Sequence, residues 1–106
     1  QVILNLILNA IAASSKNDKI RILINPADKP GYMAVEIIDE GIGIPKHLLD
    51  RIFDPFFTTK ERGKGTGLGL SVSQGIIAKH GGSILVDSVE KKGSVFTIVL
   101  PITTIL

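Results

Sequence analysis

The stretch Asp39-Glu40-Gly41-Ile42-Gly43-Ile44-Pro45 constrains this chain more than any other, because an apolar run there meets a carboxylate, two glycines and a proline. Residues 32–39 (YMAVEIID) are rich in β-formers, and their alternation predicts a strand with Met33, Val35, Ile37 and Asp39 on one face. A core-facing row therefore ends in a charge. Burying an unpaired carboxylate is costly, so Asp39 must reach water at the strand mouth or accept hydrogen bonds from something polar that enters there. Gly41 and Gly43 lack a Cβ and would let a flat ligand approach the backbone. The same residues suit an ordinary strand-to-helix turn, with Asp39 accepting local backbone bonds and Pro45 opening a helix. On these residues alone both readings stand.

The 106 residues fit one small domain with a single core, and a hydrophobic content of 44% marks it as globular. A net charge of only +2 gives no support to a general nucleic-acid or membrane role. Charge is local instead: Lys60, Arg62 and Lys64 against Glu61 leave +2 in one short loop, as much as the whole chain carries. The absence of cysteine excludes disulfides and thiolate chemistry and fits a reducing compartment. No signal-peptide pattern is present, and Val2 to Leu8 is too short to span a bilayer. Because the sequence opens directly on a helical pattern, a fragment of a longer protein is expected.

Residues 1–15 predict a helix that is apolar on nearly every side, as a buried helix would be. Gln1, Asn5 and Asn9 interrupt it at i, i+4 and i+8, so three amides form one polar stripe. Leaving a buried amide unsatisfied costs about 1–3 kcal/mol, so the stripe should face a wet cavity, a ligand or a metal, unless the amides cap loops inside the core. A polar turn at Ser14 to Asp18 precedes a strand with Ile20, Ile22 and Ile24 on one face, and Asn25 to Gly31 turns the chain back into the Asp39 strand. Pro45 to Ile52 reads as a short helix with Leu48, Leu49 and Ile52 as its apolar side. Phe53, Phe56 and Phe57 then anchor the basic, glycine-bounded loop TTKERGKG, a pattern that suits either a hinged lid or a satellite cluster under a surface loop. The run GTGLGL (residues 65–70) places glycines at the start of a helix that ends at Lys79, His80 and Gly81-Gly82, and such a start is suited to an anion. It is neither a P-loop nor GxGxxG. Two closing strands, SILVDSVE and SVFTIVL, turn at Lys91-Lys92-Gly93, with Ser94 on the face of Phe96, Ile98 and Leu100. His47 and His80 read as surface residues.

Taken in order, NLILNA, DEGIGIP, FDPFF, GTGLGLS and GSVFTIVLP resemble the catalytic ATP-binding domain of bacterial sensor histidine kinases, relatives of the gyrase, Hsp90 and MutL ATPases. The resemblance covers essentially the whole chain. It implies an α+β two-layer sandwich, a mixed, mainly antiparallel sheet with helices on one face and ATP between the layers, and sequence ahead of the Asn helix that includes a further strand. It implies that Asp39 accepts the adenine amino group, with Gly43 beside the ring, Ser94 holding a shared water, and Gly41 and Ile44 also in the nucleotide site. Asn9 would coordinate Mg²⁺, with Asn5 in support. Thr58 to Lys64 would be the ATP lid and Gly65, Gly67 and Gly69 would pass the phosphates, with Phe57, Thr58, Thr59, Lys60, Thr66, Leu68 and Leu70 also binding the nucleotide. Asn5, Asn9 and Lys60 would carry the catalytic parts.

The activity implied is transfer of the γ-phosphoryl group to a histidine on a separate dimerisation domain, with a response regulator downstream. No nucleic-acid or membrane contact by this domain is expected, and the location is cytoplasmic, including as the cytoplasmic part of a membrane-anchored sensor. The alternatives are a gyrase-type ATPase and a non-catalytic nucleotide-binding module. Two departures bear on the site. Where many members carry a basic residue after the second Asn, this chain has Ala12 and Ala13, and its lid is short. Related ATPases carry a glutamate base where Asn5 stands, and an amide cannot take a proton from water near neutral pH. Neutralising Lys60, Arg62 and Lys64 together is expected to weaken ATP binding much more than adenosine binding in calorimetry; equal losses would reduce the loop to solvated surface.

Overall fold

Alternating apolar residues in four runs become a four-stranded sheet, and the two longer helical patterns lie on one of its faces. A computed structural model describes residues 1–55, 57 and 69–102. Helix α1 (Val2–Ala13) is followed by strands β1 (Ile20–Pro26) and β2 (Tyr32–Asp39), then by helix α2 (Gly69–Lys79) and strands β3 (Ser83–Val89) and β4 (Gly93–Pro101). The sheet order is β1-β2-β4-β3, and all three pairings are antiparallel, so the expected mainly antiparallel sheet is present without a parallel pair among the described strands.

Register puts the apolar residues where period two predicts. Ile37 faces Ile22 on β1 and Phe96 on β4, and Ile98 faces Val35 and Ile84, so one face of the sheet is continuous under the helices. Leu6, Ile37 and Ile98 are sealed from solvent there. The partly buried Ile44, Phe53, Phe57 and Leu70 pack around this centre. Gly81 (φ +80°) ends α2: Gly82 N–H reaches back 3.0 Å to the Ile77 carbonyl, closing the left-handed terminus that glycine permits.

Two expectations change. Helix α1 is not buried all round: Val2, Leu6 and Ala10 form its one buried stripe, whereas Ile3, Leu4, Leu8 and Ile11 are exposed. The reason is coverage. Helix α1 packs on β2 and α2, and α2 packs on β3, so the core-side row of edge strand β1 extends beyond the helices. Its Ile22 and Ile24 are 46% and 64% exposed. The second change is at 45–52, where only Lys46–Leu48 forms a 3₁₀ turn. Leu48, Arg51, Asp54 and Phe57 each donate to the carbonyl three residues back, a run of tight turns in place of an α-helix. The tighter winding still buries Ile52.

Leu6→Ala is expected to cost about 3 kcal/mol, as truncation of a sealed core leucine does. Ile24→Ala should cost less than about 1 kcal/mol, since its side chain is already mostly in water. Urea unfolding of both variants checks the contrast.

Candidate functional site

Strand β2 delivers Asp39 to the end of the core-side row, where the carboxylate is only 5% exposed. Its Oδ1 accepts the Gly41 N–H at 2.9 Å. Its Oδ2 has no hydrogen-bond partner among the described residues. The local-turn reading of the Asp39 stretch is therefore met through Oδ1.

The loop after Asp39 is held through its backbone. Ile42 N–H donates to the Ala13 carbonyl at the end of α1 (3.0 Å), the Ile42 carbonyl accepts from Lys91 N–H in the β3–β4 turn (2.6 Å), and Ile44 N–H donates to Ser88 Oγ on β3 (2.8 Å). A Cβ on Gly41 would overlap the Ala13 carbonyl, and one on Gly43 (φ +69°) would overlap the Val89 carbonyl. The bare Cα positions of Gly41 and Gly43 thus admit the protein's own backbone, a use the sequence did not disclose.

Ser94 lies opposite Asp39 on β4 and opposite Ser88 on β3. Ser94 is buried, and its Oγ is 2.8 Å from Ser88 Oγ. Ser88 was missed by sequence reasoning, although its alternation with Ile84 and Val86 places it on the core side. The amide stripe of α1 is half-buried at Asn5 and Asn9. Asn5 Nδ2 donates to Ser73 Oγ on α2 at 3.3 Å, and Ser73 is fully buried. Ser73 was also missed; its signal was a hydroxyl four residues before Ile77 on the inner side of α2. The Asn9 side chain makes no hydrogen bond among the described residues, which leaves its amide oxygen available.

These contacts bring Asp39, Gly41, Gly43, Ile44 and Ser94 together at one end of the sheet, join them to the end of α1, and tie Asn5 to α2. Gly69 and Leu70 form the first turn of α2, with Leu70 turned partly onto the core. Phe57 also packs on the core, with the Arg51 guanidinium 5.1 Å from its ring centre. Thr58, Thr59, Lys60, Gly65, Thr66, Gly67 and Leu68 lie outside the described residues, as do Arg62 and Lys64. Among the described residues no group of three or more His, Cys, Asp or Glu could hold a metal ion. The available donor at the site is an amide oxygen, which suits a hard cation that takes most of its ligands from water and phosphate.

An antiparallel four-stranded sheet with two helices on one face, a carboxylate at a strand end and an amide-bearing helix is the α+β arrangement in which this chain meets its family. Residues 1–104 match the family described as histidine kinase-, DNA gyrase B-, and HSP90-like ATPase, and the chain belongs to that family. Sporulation kinase E of Bacillus subtilis (strain 168) is 45% identical over 102 residues, covering 96% of this chain and 13% of that protein. The signal transduction histidine-protein kinase AtoS of Escherichia coli (strain K12) is 48% identical over 102 residues, covering 96% of this chain and 16% of that protein. The chain thus spans a small part of the curated relatives it matches.

Among solved structures, the catalytic domain of histidine kinase ThkA in a nucleotide-free form matches with a TM-score of 0.82 and 43% identity, over 98% of this chain and 67% of that one. ThkA in complex with the response regulator protein TrrA matches with a TM-score of 0.76 and 38% identity, over 97% of this chain and 28% of that one. No helix among the described residues is long and apolar enough to cross a membrane.

Asp39→Asn keeps the shape of the side chain but turns one acceptor into a donor. It is expected to weaken ATP binding at least about tenfold in calorimetry, with the fold retained by circular dichroism. Equal affinity of the wild type for ATP and GTP would remove the adenine role from Asp39.

Proposed function

We propose that this chain binds Mg-ATP at the Asp39 end of the sheet and transfers the γ-phosphoryl group to a histidine on a separate helical dimerisation domain, as the nucleotide half of a sensor histidine kinase. The observation that carries the kinase reading is Asn5. The acceptor for a proton from an attacking water would have to stand beside the phosphates, and α1 offers an amide there, tied to Ser73 at 3.3 Å. An amide orients but does not deprotonate. The other acids near Asp39 do not replace it. Glu36 pairs with Thr97 on the sheet face away from the helices, and Glu40 is exposed beyond the strand end. A site without a base for water hydrolyses ATP slowly and favours an incoming nucleophile that needs none, such as a neutral imidazole nitrogen.

In this reading Asp39 Oδ2 accepts from the adenine amino group, Gly43 and Ile44 border the ring, and Asn9 supplies its amide oxygen to Mg²⁺. Bound Mg²⁺ would neutralise charge on the phosphate oxygens as the bond from the γ-phosphorus to its bridging oxygen breaks. Asn5 holds the α1–α2 geometry while the imidazole nitrogen forms the new bond to phosphorus and ADP leaves. The Gly69 turn, at the N-terminus of α2, offers backbone N–H groups and a favourable dipole for phosphate. Lys60 and the loop 58–64 would add positive charge over the phosphates. The names of the relatives and the ThkA–TrrA complex support the same assignment, with a response regulator as the downstream partner.

The test is incubation of the chain with radiolabelled Mg-ATP, alone and with a dimerising helical domain bearing a histidine. Expected are negligible phosphate release by the chain alone and label on the helical domain when both are present. Rapid phosphate release by the isolated chain, abolished by Glu40→Gln, would replace the kinase with an ATPase.

A further inference from the structure

At the end of the sheet, three oxygen-bearing side chains stand in one row across three strands: Asp39 on β2, Ser94 on β4 and Ser88 on β3. The protons in this row can be counted. Ser88 Oγ lies 2.9 Å from the Gly93 carbonyl, which can only accept, so the single hydroxyl proton of Ser88 is directed there. The lone pairs of the same oxygen accept the Ile44 N–H at 2.8 Å and face Ser94 Oγ at 2.8 Å. With the Ser88 proton committed, the bond between the two hydroxyls has one donor left, and it is Ser94.

We infer that Ser88 sets the base selectivity of the site by consuming the hydroxyl proton of Ser94, so that Ser94 presents only lone pairs beside the Asp39 carboxylate. This deepens the nucleotide reading given above and rests on it. Ser88 is a positioning residue, acting on the base through Ser94, while the Ile44 N–H occupies one of its lone pairs. A carboxylate and a proton-depleted hydroxyl are two acceptors side by side. They match a ligand group that brings two protons, the 6-amino group of a purine, directly or through one water. A 6-oxo purine brings lone pairs to the same place and finds no donor in the row. Were the Ser94 hydroxyl free to rotate, it could donate to that oxygen, and the discrimination would fall. Gly93 fits the same arrangement. It is buried, its carbonyl takes the Ser88 proton, and a Cβ on it would overlap the Asp39 carbonyl, so the row stays in register only with glycine there.

The experiment is calorimetric titration of the chain with ATP and with inosine triphosphate, which carries a 6-oxo group, in wild type, Ser88→Ala, Ser88→Thr, Ser94→Ala and the Ser88→Ala/Ser94→Ala pair. Ser88→Ala is expected to lower the wild-type preference for ATP over inosine triphosphate by about tenfold, the scale of one buried hydrogen bond changed in sign. Ser88→Thr, which retains the hydroxyl, should restore the preference. Adding Ser88→Ala to Ser94→Ala should leave the ratio of Ser94→Ala unchanged, because the two residues act through one proton. A Ser88→Ala variant that weakens both nucleotides by the same factor has lost only structural support, and the assignment is then wrong. Should Ser88→Ala not fold, Ser88→Gly removes the hydroxyl with no side chain to clash; an unchanged ratio in it equally overturns the assignment. A wild type that does not prefer ATP defeats the adenine reading at Asp39 itself, whereas a wild-type preference that survives Ser88→Ala defeats only the role of Ser88.

Discussion

The arrangement depends on one constraint: a buried carboxylate at a strand end has to be surrounded by backbone, and backbone can come that close only where side chains are missing. Asp39 takes the Gly41 N–H, and the loop that supplies it is clasped by the end of α1, the β3–β4 turn and Ser88. Gly41, Gly43 and Gly93 each stand where a Cβ would overlap a carbonyl of another segment. Three glycines therefore serve one junction. Through it the positions of α1, β2 and the β3–β4 hairpin become a single geometric fact, and the Asn5 to Ser73 bond extends that fact to α2.

This junction explains why residues far apart in the chain can act on one ligand. The amide helix and the carboxylate strand meet through the hydrogen bond from Ile42 to Ala13, one helical turn beyond Asn9. Preorganisation of this kind lowers the entropic cost of binding, because the backbone of the loop after Asp39 is held by the fold before a ligand arrives. The hydroxyl row of Ser88 and Ser94 has the same character. Its proton directions follow from fixed backbone groups on either side.

Much of the fold was legible because alternation and helical period are local properties. The Asp39 strand, its core-side row and the glycine end of α2 stand where the residues put them. What sequence could not carry was coverage: Ile22 and Ile24 alternate as core residues do, but nothing in their order says that α1 stops over β2. Likewise the apolar surround of α1 signalled burial, while only Val2, Leu6 and Ala10 meet the sheet. In the site, Asp39 announced itself by breaking an apolar row. Ser73 and Ser88 broke nothing, since a small hydroxyl among apolar neighbours is common, and their importance lies in contacts with residues 68 and 44 positions away. The 45–52 segment failed for another reason, in that Leu49 and Ile52 are compatible with a repeat of three as well as one of 3.6.

The strand order carries a consequence for how the molecule assembles. Strands β1 and β2 are neighbours in sequence, as are β3 and β4, so each pair closes as a hairpin over a short turn. Among the described strand pairings, the β2–β4 seam is the one that joins distant parts of the chain, so the conformational entropy of assembling the sheet falls largely there. Asp39 lies on one side of that seam and Ser94 on the other. The row of Asp39, Ser94 and Ser88 is thus completed by the same step that completes the sheet, and a chain with its hairpins formed but its halves apart lacks it. Because the cost of closing the intervening connection grows only with the logarithm of its length, residues can be added between β2 and α2 at little expense to the seam.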